Sequence, residues 1–289
     1  MYKTLSDPVK AIVFYAIAFG LELAAALALA PVIGELAALV GMLTPTIAAL
    51  LMLLVVTRDG YTRAGWAGLG LHRLGLRIWW FALLGPLVVL GGAYGVVWGT
   101  GLASFGVSAD IKATNPLLLP LLVILFIAKN TLTGSLGEEI GWRGYLLPHL
   151  ESLGQRRALL LSGLLHGIWH LPFILFTSFY HADGNGFIVI PLFLASLTMA
   201  GVIYGCLRLT TGSVWPAAIA HSSLNVFWDL MRGLTIGASP LVTEYLVGET
   251  GVLPLIGYTL LAGWMLYRMH RRPSSAAAEP AREDQPMAI

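Results

Sequence analysis

Charge is what this chain has least of. Asp, Glu, Lys and Arg make up 11% of its 289 residues, against about 25% in an average soluble domain. At the same time 57% of the residues are hydrophobic and the mean hydropathy is +0.79. A water-soluble fold of this length has nowhere to hide that much apolar surface. A bilayer accepts it, as helices of about 20 apolar residues whose backbone groups are satisfied internally. Cysteine is nearly absent too, and the one present, Cys206, excludes an intramolecular disulfide. A net charge of +2 gives no basis for a nucleic-acid partner, and no internal repeat is present.

What is there is a series of apolar runs punctuated by Gly, Pro or charge. They predict eight spans, at about 10–31, 36–57, 78–101, 116–135, 157–178, 187–208, 214–233 and 251–269. The fourth is expected to continue as helix to about Leu147. The expected fold is therefore all-α, a polytopic membrane protein with about eight transmembrane helices around an intramembrane polar cavity. The first run is about 20 residues long, longer than the 7 to 15 typical of a signal-peptide core, and is read as a span. After Arg272 the stretch PSSAAAEPAREDQPMAI has no periodic apolar face. It is expected to be a disordered cytoplasmic tail, 273–289, without a prenylation signal, following a single transmembrane domain over 1–272.

Basic residues set the expected orientation. With the N-terminus inside, the cytoplasmic face carries Lys3, Lys10, Arg58, Arg63, Arg73, Arg77, Arg156, Arg157, Arg208, Arg268, Arg271 and Arg272. The opposite face keeps Lys112 and Arg232 beside Asp110, Asp183, Glu244 and Glu249. Both termini are thus expected in the cytoplasm, and the Ala-, Leu- and Gly-rich spans suit a prokaryotic cell (inner) membrane. The loop 58–77 mixes Trp66 and leucines with four arginines, the composition of a segment at headgroup level.

Against this background the stretch SLGEEIGWRGYLLP, Ser135 to Pro148, stands out, because Glu138, Glu139 and Arg143 fall where a span should be apolar. Each such group costs roughly 2.5 to 3.5 kcal/mol on insertion scales. Glu139 is four residues from Arg143 and Glu138 is five, so the favourable pairing goes to Glu139. Glu138 is then the candidate general base. His166 and His170 share a face of the fifth span, and His221, Asn225 and Asp229 share one of the seventh. All lie between the cytoplasmic end and the midplane in the orientation above, and can converge. Glu22 and Lys129 are expected to pair with one another or with Asp229. Gly134, Gly137, Gly141 and Gly144 allow close helix approach, and Trp142 and Trp169 are placed along the cavity wall.

Glu138-Glu139-xxx-Arg143, His166-xxx-His170 and His221-xxx-Asn225 resemble the pattern of the CAAX prenyl protease and bacteriocin-processing family of intramembrane endopeptidases, also called the abortive-infection family. The resemblance implies a peptidase in which Glu138, assisted by His170, activates water while His221 and Asn225 stabilise the oxyanion. Glu139 and Arg143 would support the site. So would His166, which falls where the best-known eukaryotic members have phenylalanine. It implies a peptide or protein substrate, hydrophobic or lipidated, met within membrane lipid. A metal-free base is favoured because the HExxH arrangement is missing; the alternative is Zn2+ on His166, His170, His221 and Glu138. A transporter or a non-catalytic immunity protein is the competing class, since intramembrane Glu, His and Lys also mark ion pathways.

Overall fold

A computed structural model of the protein describes residues 5–112, 115, 117–178, 184–248 and 251–271. The tail 273–289 lies outside them, as do Lys3, Asp183, Glu249 and Arg272. Seven helices among the described residues are long and apolar enough to cross a membrane: α1 Asp7–Ile33, α2 Leu36–Val56, α3 Leu76–Gly99, α4 Leu119–Leu153, α5 Gln155–Phe176, α6 Gly186–Thr211 and α8 Val252–His270. The eighth expected span is also helical, α7 Trp215–Gly233, but falls short of the hydropathy of the others. Its polar residues are turned inward: His221, Ser222 and Ser223 are buried. This helix packs against α3, α4 and α6, so a low apolar content reflects burial among helices and not exposure to water.

The outer surface carries the apolar side chains a bilayer would cover, among them Val32, Val88 and Leu260, each 70% exposed or more. In water such a surface would drive aggregation; in lipid it has no cost. The chain is a multi-pass, all-α membrane protein. Outside the helices the one ladder among the described residues is a two-residue antiparallel pairing of β1 Ser104–Phe105 with β2 Thr235–Ile236, to which the Trp98 indole is tied through the Thr235 hydroxyl at 3.1 Å.

The long helix α4 is the axis of the fold, and two facts of sequence decide its packing. Glycine lets α2 come close: a Cβ on Gly141 would sit 2.4 Å from Pro45 Cβ and 2.7 Å from the Pro45 carbonyl, and one on Gly137 would be 3.0 Å from the Met42 oxygen. The Thr46 hydroxyl donates to the Gly137 carbonyl across this contact. The helix also widens to π geometry at Thr131–Ser135 and Ile140–Leu146, on either side of the two glutamates. Such widenings shift the angular register of side chains and recur at functional sites. A tight turn at Gly34, with φ of +60°, joins α1 to α2, as the Pro31, Gly34 and Glu35 cluster suggests.

Candidate active site

Helix α4 contributes Glu138, Glu139 and Arg143, all buried to 2% exposure or less. The i,i+4 pair forms as its spacing predicts, with Arg143 Nη1 donating to Glu139 Oε1 at 2.9 Å. Glu139 Oε1 accepts a second bond, from His221 Nδ1 on α7 at 3.0 Å. One carboxylate therefore ties two helices together. The Arg143 guanidinium also lies over the Tyr204 ring of α6, 5.2 Å from its centroid, and that ring stacks on His221 at 5.3 Å and 14°. Tyr204 gave no sign of itself in the sequence, since an aromatic residue in an apolar helix is ordinary.

Helix α5 contributes the histidines. His166 Nε2 lies 2.8 Å from Glu138 Oε2, and its Nδ1 lies 3.1 Å from Arg143 Nη1. Sequence spacing left Glu138 open to a cavity; the fold instead buries it against His166. His170 sits where the helix breaks before Pro172, and its Nδ1 faces the His166 carbonyl at 3.0 Å. The ring centroids of His166 lie 5.1 Å from those of His170 and 5.7 Å from those of His221. Trp142 stacks on His166 at 5.2 Å, and Trp169 meets His170 edge-on at 4.6 Å, so both indoles wall the site.

These contacts dictate protons. Arginine only donates, so His166 Nδ1 must accept and its proton sits on Nε2, donated to Glu138. The carbonyl facing His170 only accepts, so His170 carries its proton on Nδ1 and a lone pair on Nε2. Glu139, already accepting from Arg143, takes the Nδ1 proton of His221. A neutral His221 then presents a lone pair on Nε2, and it can donate there only as the imidazolium.

Asn225, one turn along α7, is half-buried and makes no hydrogen bond to any described residue. His170 is half-buried as well, while Glu138, Glu139, Arg143 and His166 are closed off. Asp229 does not join the site; it is exposed, with Arg232 as its charged neighbour. The pairing expected for Glu22 and Lys129 is also absent among the described residues. Glu22 accepts instead from the Thr44 hydroxyl at 3.1 Å, whose oxygen accepts from Trp169 Nε1 at 3.1 Å. Lys129 is exposed on α4. These partners differ from the expected ones because pairing depends on which way each helix turns, and composition does not set that.

Glu138, His166 and His170 each bring one potential ligand atom within 4.8 Å of the others. As hydrogen-bonded, His166 offers Glu138 a proton and not a lone pair, while Arg143 occupies its other nitrogen. The trio thus fits a metal poorly without reorientation of that ring. His221 is outside this cluster, its Nδ1 committed to Glu139.

A family model described as Type II CAAX prenyl endopeptidase Rce1-like matches residues 119–227, the segment that holds every residue from Glu138 to Asn225. The chain is also similar to CAAX prenyl protease 2 of Methanococcus maripaludis, 25% identical over 186 residues. That match takes in 63% of this chain and 63% of the relative, so it spans less than two thirds of the relative's length. The motifs of α4, α5 and α7 are gathered into one buried centre inside the matched segment, and over that segment the chain is similar to the Rce1-like CAAX prenyl endopeptidases.

Proposed function

We propose that the protein is an intramembrane endopeptidase using a glutamate- and histidine-activated water. The observation that carries this reading is the convergence of Glu138, His170 and His221 from three separate helices, each held by a defined hydrogen bond. Water placed against the Glu138 carboxylate and the His170 Nε2 lone pair loses its proton to Glu138 as its oxygen bonds to the scissile carbonyl carbon. The tetrahedral oxyanion accepts from the Asn225 amide and from the His221 imidazolium, whose charge Glu139 balances. As the C–N bond breaks, the proton held by Glu138 passes to the leaving amine. Glu139 and Arg143 keep the helices in register, and His166 orients the Glu138 carboxylate. Donors aimed at developing charge in a site shielded from bulk solvent are worth far more than in water, and Glu138, Glu139, Arg143 and His166 are buried among helices.

The substrate in this reading is a peptide or protein segment, hydrophobic or lipidated, that reaches the half-buried edge at His170 and Asn225 from lipid or from the cytoplasm. The basic loops support a cell-membrane location with both termini cytoplasmic. Purified protein incubated with a peptide library is expected to cleave; Glu138→Ala, His170→Ala and His221→Ala are each expected to abolish cleavage. Retention of cleavage by all three would refute the mechanism. The zinc-dependent alternative draws on the Glu138, His166 and His170 cluster. Cleavage that vanishes in strong chelator and returns with zinc would establish it; unchanged cleavage by metal-free protein is expected here.

A further inference from the structure

We propose that Glu22, far from the motifs in sequence, is a positioning residue for the active-site histidines, acting through Thr44 and Trp169; the proposal rests on the proteolytic reading above. Glu22 is a carboxyl group in an apolar helix, 3% exposed, and it forms no ion pair with any described residue. A buried acid without a cation is costly and needs a hydrogen-bond partner. Its partner is the Thr44 hydroxyl on α2, which in turn accepts from the Trp169 indole on α5.

Indole N–H only donates, so the Thr44 oxygen accepts from Trp169, and the Thr44 hydroxyl in turn donates to Glu22 Oε2. Glu22 is the terminal acceptor that holds the other two in place. Remove it, and the Thr44 proton is free to turn elsewhere, loosening the oxygen that fixes the indole. Trp169 is the residue next to His170, meets its ring edge-on at 4.6 Å and lies 6.1 Å from the His166 ring. Rotation of the indole therefore moves the surface on which both imidazoles rest. The position opposite Glu22 is kept clear: a Cβ on Gly41 would lie 2.9 and 3.0 Å from its two carboxyl oxygens and 3.1 Å from the Phe173 ring.

The test uses full-length protein and a peptide that the wild type cleaves. Glu22→Ala, Thr44→Val and Trp169→Phe are each expected to lower kcat about tenfold with KM little changed, by analogy with the low end of the effect of removing partners that orient metal-binding histidines. Since the three act as one chain, any double variant is expected to lose no more than a single one, the signature of coupled residues. Glu22→Gln, whose amide oxygen can accept the same bond, is expected to recover most of the loss. A merely structural role would give losses that add and track thermal stability, with no recovery by Gln; either result overturns the proposal. Thr44→Val, close in shape, carries the test if Glu22→Ala does not fold, and an unchanged kcat in it also overturns the proposal. Should Glu138→Ala, His170→Ala and His221→Ala all remain active, the mechanism proposed above fails instead, whatever Glu22 does.

Discussion

Arg143 Nη1 donates to His166 Nδ1 at 3.1 Å, and this one contact decides where the imidazole can keep its proton. The guanidinium is a permanent donor, so His166 is held as the Nε2–H form and hands that proton to Glu138. The arginine that looks from sequence like a counter-ion for Glu139 thus also sets the direction of the bond on Glu138.

His166→Phe follows from that relationship. An aromatic ring still faces Trp142, while both hydrogen bonds go. We expect a partial loss of kcat, about 10- to 100-fold by analogy with other orienting partners, against complete loss for His170→Ala. Steady-state kinetics on the two purified variants decides; equal and total loss would place His166 among the reacting groups.

Arg143→Ala leaves the Glu139 carboxylate buried without its cation. Breaking one partner of a buried pair typically costs about 3 to 5 kcal/mol, so the variant is expected to melt well below the wild type in detergent. A melting temperature unchanged from the wild type would count against the ion pair as a stabilising contact within α4.

Asn225→Ala removes a half-buried amide that no described residue engages. If it donates to the oxyanion, kcat falls about 100- to 1000-fold while substrate binding is spared. A rise in KM with kcat intact would assign Asn225 to substrate binding instead.

Gly141→Ala puts a methyl group into the Pro45 backbone of α2, where no flexible side chain can move aside. Overpacking of this kind costs about 1 to 3 kcal/mol. Reduced thermal stability is expected, and a wild-type melting curve would mean that α2 and α4 do not approach so closely.

Near the start of α1, Lys10 reaches Asp59 at 2.8 Å and ties that helix to the loop after α2. Partial burial works to raise the Asp59 carboxyl, but hydrogen bonds from Lys10 and Thr57 and the Lys10 charge outweigh it and hold the group below its ordinary value. A lowered folded value means that the contribution is present above the unfolded value of about 3.9 and is lost as pH falls through the folded one. The wild type is expected to be more stable than Asp59→Asn near neutrality and to lose that advantage in acid. A stability difference that does not shrink with acidification would exclude this pair as its source.

Much of this protein could be read from its residues in order. Hydropathy is a local property, so apolar runs gave the helices, and only α7 departs from the lipid-facing pattern, because its neighbours bury it. The four-residue spacing of Glu139 and Arg143 and the close-approach glycines follow from helix geometry and hold in the fold. Spacing also marked Glu138, His166, His170, His221 and Asn225 as a group, since polar side chains in apolar helices have few reasons to be there.

What sequence could not supply is which atom faces which. The bond between Thr44 and Glu22 joins residues 22 apart and that between Trp169 and Thr44 joins residues 125 apart, so both depend on how helices rotate and pack. The same holds for His166 against Glu138 and for Tyr204 between Arg143 and His221. Local chemistry determined the elements and the inventory of reactive groups, because it acts over a turn or two of helix. Tertiary packing decided the protons, because each hydrogen bond is settled only when two distant helices present their side chains to one another.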